Sequence, residues 1–364
     1  MEIAVANKKD IRKLTLNQIK EFLVENGEQG FRAKQVYEWL WKKSAQDFDE
    51  MTNLSKKTRE FLAENFEIRA VKVAEKQVSS DKTIKSSFAL FDQNLVEGVL
   101  IPADDRMTAC VSSQVGCSLT CKFCATGYMD RKRNLDPAEI YDQVVRIRDQ
   151  AESHYQTPLT NIVYMGMGEP LLNYASVLQS VEMITSPEGL GMSPKRITVS
   201  TAGIAKMIKK LGDDEVKFNL ALSLHAANDT KRNQIMPINE SNTLEALKEA
   251  LQYFYKKTGN RITLEYIVFY KFNDSLEDAK ELWQFAKQFP CKVNIIEYNP
   301  IAEANYTNTD PQTLEKFAKF LEDKGMVVNV RRSRGKDIDA ACGQLAGKKK
   351  AEAASSETEF ITKS

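Results

Sequence analysis

The sequence predicts an α/β protein with a helical module at its N-terminus and a small β segment joining that module to the main domain. Three observations support this class. Residues 1–66 carry helical hydrophobic periodicity, residues 67–102 change to short strand patterns, and residues 103–346 alternate strands with helices. Repeated βα units of this size imply a parallel sheet, as a complete barrel, a partial barrel or an open doubly wound sheet.

Composition limits the classes of partner. The 364 residues include 51 Lys and Arg and 50 Asp and Glu, so the net charge gives no steering towards nucleic acid and any basic surface must be local. Six cysteines without a signal-peptide pattern favour a reducing interior, and we expect a cytoplasmic protein. No apolar run approaches the length of a bilayer span, so no membrane partner is expected.

Three helices are predicted in the N-terminal accessory domain. Thr15 and Gln18 fit a capping box, and Gly27 is a suitable end for the first helix. The second helix covers residues 31–43, and the third starts near Ser55. Basic residues at the start of the third helix oppose its dipole, which favours a phosphate partner, although a solvated charged face explains them equally well.

The main domain contains seven predicted strands and six predicted helices. The strands are 108–115, 161–165, 196–200, 217–224, 261–269, 292–298 and 326–331, and the helices are 137–152, 174–184, 203–211, 243–257, 275–288 and 311–323. Ligands of such sheets gather at the carboxyl ends of the strands. The segment 347–364 is polar and is predicted to be a disordered tail.

A cysteine loop follows the first predicted strand of this domain. Cys117, Cys121 and Cys124 have the spacing C-x3-C-x2-C, and Cys110 lies seven residues upstream. Three thiolates on one loop can hold three irons of a four-iron cluster and leave the fourth iron open for a ligand. Two alternatives remain: a zinc site, although no paired C-x2-C or H-x3-H motif occurs, and a closed electron-transfer cluster with Cys110 as fourth ligand.

Polar side chains recur at the ends of the later strands. Residues 165–170 form a glycine-rich turn that includes Glu169, and further polar positions are Ser200, Ser223, His225 and Asn299. Such positions are suited to lining a pocket, although each alone fits a cap or turn, and His225 equally fits a core histidine.

Near the C-terminus, Cys342 follows the last strand and is predicted to return to the face of the cysteine loop. A buried small hydrophobe is the alternative for Cys342, and we assign Cys291 to that alternative. Two basic runs, residues 331–336 and 131–133, are predicted to place positive charge around the pocket mouth.

The cysteine loop with Phe123 before its last cysteine resembles the signature of the radical S-adenosylmethionine (SAM) enzymes. The wider motif set looks like the radical SAM methyltransferases that act on adenine carbon 2 of large-subunit ribosomal RNA. That set comprises residues 96–97, 110–117, 165–170, 223–225 and 337–347. The resemblance implies a partial (β/α)6-type radical SAM barrel, a four-iron four-sulfur cluster on Cys117, Cys121 and Cys124, and SAM, used twice per turnover.

The resemblance also implies roles for individual residues. Cys342 takes a methyl group from one SAM, and a deoxyadenosyl radical from a second SAM then removes a hydrogen from that methyl. The resulting methylene radical joins the base, Cys110 resolves the adduct through a disulfide, and Glu97 accepts a proton. A glutamate in a strand pattern more often faces solvent, and Gly98 stands where a side chain is expected. SAM contacts are implied for Glu169, Pro170, Ser200, Ser223, Leu224, His225 and Asn299.

The implied partners are large-subunit ribosomal RNA, an anticodon-loop adenosine of transfer RNA as a second substrate, and an external electron donor such as a flavodoxin. We expect a monomer. Two rival functions are open: methylation of adenine carbon 8 by a relative that keeps the same cysteines, and a cluster-bearing RNA-binding protein without turnover.

Overall fold

The computed structural model describes residues 8–346, and its N-terminal part is a three-helix module. The short strands β1 (Lys9–Asp10) and β2 (Phe66–Glu67) pair in parallel and bring the two ends of the module together. Its helices are α1 (Leu16–Glu25), α2 (Arg32–Trp41) and α3 (Lys56–Asn65). The predicted capping box of Thr15 and Gln18 is confirmed, and Ser55 caps α3. The predicted tail, 347–364, lies outside the described residues.

The chain then enters a sheet of ten strands through an antiparallel segment. The first strands are β3 (Lys72–Val78), β4 (Ile84–Ala89), β5 (Leu95–Ala103) and β6 (Arg106–Cys110). Each pairs antiparallel with the next. The predicted linker boundary at residue 102 therefore lies inside β5, and the linker strands continue directly into the sheet of the main domain.

The remainder of the sheet is parallel and is built from βα units. Its elements, after a separate short pair β7 (Gln114–Val115) and β8 (Arg133–Asn134), are α4 (Pro137–Tyr155), β9 (Asn161–Tyr164), α5 (Tyr174–Thr185), β10 (Ile197–Thr201), α6 (Ala205–Asp213), β11 (Asn219–Ser223), α7 (Asp229–Ile235), α8 (Leu244–Thr258), β12 (Ile262–Ile267), α9 (Leu276–Ala286), β13 (Cys291–Ile296), α10 (Pro311–Asp323) and β14 (Val327–Arg331). The strand order is β14-β13-β12-β11-β10-β9-β6-β5-β4-β3. Six βα units followed by a last strand confirm the predicted partial (β/α)6-type barrel.

The prediction of one strand over 108–115 is wrong. The strand β6 ends at Cys110, and the following residues turn towards the loop after β9. Ser113 N and Gln114 N both donate to Met167 O, at 2.9 and 3.2 Å, while Ser112 N donates to Gln143 Oε1 at 2.9 Å. Because these bonds replace sheet pairing, Cys110 stands at the carboxyl end of the first parallel strand, where ligands gather.

The loop after β14 contacts the opposite edge of the sheet. Ser79 Oγ, in the turn between β3 and β4, donates to Asp337 Oδ1 at 2.5 Å, and Gly335 N donates to Asp81 Oδ2 at 2.9 Å. Within residues 8–346, β14 and β3 share no strand pairing. The sheet is therefore curved, and this C-terminal loop rather than a strand pair connects its two edges.

The helical module is joined to the barrel by a buried ion-pair group. The Arg12 guanidinium donates to Asp142 of α4 at 2.8 and 2.9 Å and to Asp10 at 3.2 Å. All three side chains are almost entirely enclosed. Removing one partner of such a group would leave a buried charge, which costs about 3–5 kcal/mol. The position of the module against the barrel is thereby fixed.

The helices offer no means of crossing a membrane. None of them, within residues 8–346, combines the length and apolarity that a bilayer span requires.

Candidate active site

The cysteine loop runs from the end of β7 to a short 3-10 helix, Ala125–Tyr128. Two glycines allow its tight path. Gly116 has φ +75°, and a Cβ there would lie 2.2 Å from Asp130 O, whereas a Cβ at Gly127 would lie 2.6 Å from Cys121 O. The ring of Phe123 packs on His225 at 4.7 Å, centroid to centroid. The loop thus has one compact conformation against the carboxyl ends of the strands.

The three loop thiols share a desolvated environment. Burial raises the pKa of Cys117 to about 11 and raises the pKa values of Cys121 and Cys124, and charge at Cys124 raises the first two further. All three cysteines pack beside an apolar cluster that includes Phe123, Ile267 and Phe269. Mutual interaction and partial shielding from water suit thiolates whose charge a metal would neutralise.

The donor set fits an iron–sulfur cluster. All six cysteines of the chain are free thiols. Within residues 8–346 no three His, Cys, Asp or Glu side chains are grouped as ligands of a single metal ion. A four-iron cluster spreads its thiolates over separate irons, and the loop supplies three of them, which leaves one iron for a non-protein ligand.

The glycine-rich turn after β9 lies directly against the segment after β6. A Cβ at Gly166 would be 2.6 Å from Ser112 Oγ, and a Cβ at Gly168, where φ is +95°, would be 2.4 Å from Gln114 Cβ. Only glycine permits this contact. The turn delivers Glu169 to a buried position between the cysteine loop and β10.

Glu169 is held by backbone donors. Its Oε1 accepts from Leu171 N at 3.0 Å, and its Oε2 accepts from Ala202 N at 2.8 Å. Burial raises the pKa of this carboxyl, while the two backbone donors act in the opposite direction. Pro170 is buried and begins the 3-10 helix Pro170–Asn173. Each carboxylate oxygen retains a lone pair, so Glu169 can still accept from an ammonium group.

The ends of β10 and β11 bring two predicted serines together. Ser200 Oγ and Ser223 Oγ are 3.4 Å apart. Leu224 is fully buried, and its N–H and C=O are used by Glu265 O and Arg232 Nε. Any contact of Leu224 with SAM stays a prediction.

His225 is a buried neutral histidine with φ +56°. Its Nδ1 accepts from Ile267 N at 3.1 Å, and burial together with the nearby Arg232 lowers its pKa to about 3. These bonds fit the core-histidine alternative, while its Nε2 remains the protonated nitrogen.

Arg232 supports the site from below, and the sequence did not indicate it. It is fully buried on α7, and its guanidinium donates to Ala202 O at 2.6 Å, Leu224 O at 3.0 Å and Asn239 Oδ1 at 2.6 Å. It thereby joins the ends of β10 and β11 below the cysteine loop. In the sequence it looks like any charged residue of a short surface helix, and no pattern distinguishes it.

The structure brings Cys342 to the cysteine loop. Ala125 N donates to Gly343 O at 2.7 Å, and Thr126 Oγ1 donates to Leu345 O at 2.6 Å. Asn299 Nδ2, after β13, donates to Cys342 O at 3.1 Å, and Asn299 Oδ1 is buried without a partner among the described residues. Cys342 is exposed at the barrel mouth, so the buried-hydrophobe alternative for this residue is wrong.

Cys110 lies within electrostatic range of Cys342. Burial, and then charge at Cys342, raise the pKa of Cys110 to about 12, while Arg331 acts in the opposite direction. Cys342 is accessible, but it lies in a recess whose walls desolvate a thiolate, and this desolvation together with charge at Cys124 and Glu265 raises its pKa to about 11. Cys110 and Cys342 thus interact electrostatically although the two are remote in sequence.

Glu97 is buried on β5 and does not face solvent, so the solvent-facing alternative is wrong. Its Oε2 accepts from Ala346 N at 2.8 Å, and its Oε1 is 3.7 Å from Lys85 Nζ. A Cβ at Gly98 would be 2.8 Å from the Phe88 ring, which explains the glycine where a side chain was expected.

The two basic runs differ from each other. Arg331, Arg332, Arg334 and Lys336 are exposed, as is Arg131, although Glu297 pairs with Lys336 at 2.8 Å and with Arg332 at 3.5 Å. Arg133, however, pairs with Asp92 at 2.6 Å and Glu139 at 2.7 Å, so its predicted contribution to the charge of the pocket mouth is wrong. Its two carboxylate partners neutralise it.

The fold, the three-cysteine loop and the strand-end residues define a radical SAM enzyme. A model of the radical SAM superfamily matches residues 111–282, and a model of the ribosomal RNA large subunit methyltransferase N-terminal domain matches residues 9–68. The crystal structure of a radical SAM methyltransferase from Sphaerobacter thermophilus is 37% identical, with a TM-score of 0.88, over 93% of this chain and 100% of that one.

Curated relatives narrow the class to one family. The Cytophaga hutchinsonii protein described as "probable dual-specificity RNA methyltransferase RlmN" is 68% identical, over 93% of both chains. Proteins of the same description from Christiangramia forsetii and Salinibacter ruber are 58% and 45% identical, over 94% and 93% of this chain and 97% and 94% of theirs. The chain belongs to the RlmN family of dual-specificity RNA methyltransferases.

Proposed function

We propose that this protein methylates carbon 2 of a specific adenosine in large-subunit ribosomal RNA, and an anticodon-loop adenosine of transfer RNA, with Cys342 as the methyl-carrying residue. One observation carries the proposal. The loop after β14, residues 332–346, which we call the Cys342 loop, is bonded to the cysteine loop through Ala125 and Thr126, and Cys110 interacts electrostatically with Cys342. The proposed methyl carrier Cys342, the cysteine loop and the second thiol, Cys110, therefore belong to one site.

The residue set matches the difficulty of the reaction. Carbon 2 of adenine has no lone pair, so a polar methyl transfer meets no nucleophile there. When bound, the cluster and SAM supply a 5′-deoxyadenosyl radical, and a further SAM supplies the methyl group. Cys117, Cys121 and Cys124 would hold the cluster, and Glu169 would orient the SAM ammonium group.

The chain's own residues then carry the methyl group to the base and release the product. Cys342 presents the methyl carbon at the barrel mouth, where Asn299 fixes its backbone. Once the adduct has lost its carbon-2 proton and one electron, which balances the electron taken up to cleave SAM, the Cys110 thiolate would attack the Cys342 sulfur and break its bond to the methylene carbon. The electron pair of that bond stays with the carbon, which takes up a proton to become the methyl group, and the two cysteines are left as a disulfide that an external thiol must reduce before the next turnover. Glu97, buried beside Ala346 at the end of the Cys342 loop, would accept a proton through a carboxylate shielded from bulk water.

RNA binding is assigned to local basic surfaces rather than to net charge. Lys34, Lys42, Lys43 and Lys57 are exposed on the helical module, and Arg131 and Arg334 are exposed on loops of the barrel. Phosphate contacts of this kind make affinity fall steeply with salt. The target base must leave its stack to reach Cys342, which favours a loop or a partly folded RNA.

Two further assignments complete the proposal. The cluster requires one-electron reduction by an external donor, and a flavodoxin-type protein has the required chemistry. The protein acts as a monomer, because one chain supplies cluster ligands, methyl carrier and resolving thiol.

The test is nucleoside analysis. The protein, reconstituted anaerobically, is incubated with SAM, a reductant and unmodified ribosomal or transfer RNA, and digested RNA is examined by mass spectrometry. We expect 2-methyladenosine together with 5′-deoxyadenosine. Finding 8-methyladenosine alone would support the carbon-8 alternative, and finding no 5′-deoxyadenosine would support the non-catalytic one.

A further inference from the structure

Glu265 is a buried carboxylate in the barrel interior. It lies on β12 between Leu264 and Tyr266, which pack in the main hydrophobic core outside the sheet, where the Tyr266 ring meets Phe317 of α10 at 5.6 Å. Alternation along a strand therefore turns Glu265 inward. Ile267, two residues later on the same face, belongs to the group of apolar side chains that packs against the cysteine loop. Glu265 thus lies one layer below the cysteine loop.

A row of polar side chains crosses the interior at the level of Glu265. Glu265 is directly opposite Ser223 on β11 and Asn294 on β13, and Asn294 is opposite Asn329 on β14. Asn294 Nδ2 donates to Glu265 Oε1 at 2.8 Å, and Asn329 Nδ2 donates to Asn294 Oδ1 at 3.1 Å. At the other end of the row, Ser200 and Ser223 form their own pair. The row therefore consists of two bonded groups.

The second carboxylate oxygen of Glu265 lacks a partner. Glu265 is 4% exposed, and its Oε2 is buried and bonded to nothing among residues 8–346. Buried polar atoms in native proteins are nearly always bonded, and an unpaired carboxylate oxygen is costly. Directly opposite Glu265 stands Ser223, and the backbone carbonyl of Glu265 accepts from Leu224 N at 3.0 Å. The unpaired acceptor therefore borders the strand end to which SAM binding is assigned.

We propose that Glu265 is an additional SAM-binding residue, whose Oε2 accepts a hydrogen bond from a ribose hydroxyl, next to Ser200 and Ser223. This inference rests on the proposed function of the site. A ribose has two adjacent hydroxyls, each a donor, and an acidic residue at a strand end reads ribose hydroxyls in dinucleotide-binding folds. The serine pair can bond one hydroxyl while the carboxylate takes the other. A charged acceptor gives the stronger bond.

The test measures the affinity of each protein variant for each of three ligands. Binding of S-adenosylhomocysteine and of its 2′-deoxy and 3′-deoxy analogues is measured by calorimetry on the reconstituted protein, without reductant or RNA. For the native protein, removal of the hydroxyl that meets Glu265 is expected to weaken binding on the order of tenfold. Glu265→Gln should weaken binding of S-adenosylhomocysteine by a similar factor. In this variant, the affinities for S-adenosylhomocysteine and for the same deoxy analogue should differ by less than about threefold.

Controls separate a ligand contact from a packing role. Thr263→Val changes a buried residue of the same strand and face, two positions earlier, and should leave all affinities unchanged. Glu265→Asp withdraws the carboxylate by one methylene and should give the same loss, which provides a second measurement if the Gln variant is unstable. Iron content and thermal unfolding of each variant are measured in parallel.

Three results would overturn the inference. Equal affinities of native protein and Glu265→Gln for all three ligands would mean that Oε2 bonds only to water. An unchanged deoxy penalty in Glu265→Gln would assign Glu265 to packing. In both cases RNA methylation by the native protein would leave the proposed function intact, whereas a native protein that binds neither SAM nor S-adenosylhomocysteine would refute both.

Discussion

The two groups of cysteines reach the same site by different routes. Cys117, Cys121 and Cys124 belong to one loop, whose path is set by nearby glycines and by Phe123. Cys110 and Cys342 come from the first parallel strand and from the loop after the last one. The three thiols of the first group are neighbours in sequence, although their loop also packs on His225, whereas the second pair meets only when the first and last strands of the barrel are both in place. The proposed cluster ligands thus form a local motif, whereas the proposed methyl carrier and its partner thiol are brought together by the tertiary fold.

The largest effect is expected from the loop itself. Cys121→Ala removes one of three cluster thiolates, so iron content, 5′-deoxyadenosine production and RNA methylation should all be lost. Cys291→Ala is the matched control. Cys291 begins β13, at the end of the strand remote from the cysteine loop, and its sulfur donates to Ala286 O at 3.3 Å. A Cys121→Ala protein that still cleaves SAM would show that this cysteine is not a ligand.

Cys342→Ala should separate the two groups. The variant is expected to keep its iron and to bind SAM, because the loop cysteines are unchanged, yet to produce no methylated RNA. Iron analysis and nucleoside mass spectrometry measure the two properties on one sample. Methylation above background would contradict the assignment of Cys342 as methyl carrier.

Cys110→Ala should act later in the reaction than Cys342→Ala. Without the resolving thiol, the adduct between Cys342 and the base should persist, so that turnover stops and a covalent protein–RNA species accumulates. Denaturing electrophoresis with labelled RNA detects it. Free methylated RNA at the native rate, with no trapped species, would remove Cys110 from the mechanism.

The smallest effect is expected from Gly343→Ala. Gly343 has φ +85°, and a Cβ there would lie 3.2 Å from Phe123 O, so the strain, about 1–3 kcal/mol, acts where the Cys342 loop meets the cysteine loop. Methylation should fall severalfold with iron content unchanged. Gly191→Ala is the control, since Gly191 has φ +64° and nothing within 4 Å. Equal methylation rates of the two variants would deny this contact a positioning role.

Local signals in the sequence predicted the features that depend on short segments. The capping box at Thr15 and the alternation of strands and helices after residue 103 are confirmed, because each arises from propensity and periodicity within one element. Glu169, Ser200, Ser223 and Asn299 were chosen as candidates because they stand at or just after the ends of apolar strands, and their contacts with SAM stay predictions. The spacing of the loop cysteines was sufficient for the cluster hypothesis.

Features that depend on distant partners were not predictable. The strand β6 ends at Cys110 because the residues that follow it donate hydrogen bonds to Met167 and Gln143. The charge of Arg133 is neutralised by Asp92 and Glu139, which are distant or unremarkable in the sequence. Arg232 looks like a surface charge in the sequence, but its guanidinium is buried and donates to carbonyl groups at the ends of two strands. Glu265 did carry a signal: a charged residue flanked by apolar residues in a strand predicts either an exposed face or a polar interior, and only the sheet decides.

The loop after β14 joins the two edges of the sheet and also carries Cys342. Its anchors are the bonds of Gly335 and Asp337 to the turn after β3, and the bond of Ala346 N to Glu97, and the cysteine lies between them. The position of the Cys342 sulfur therefore depends on the contact between the two edges of the sheet, because the same segment of chain makes that contact.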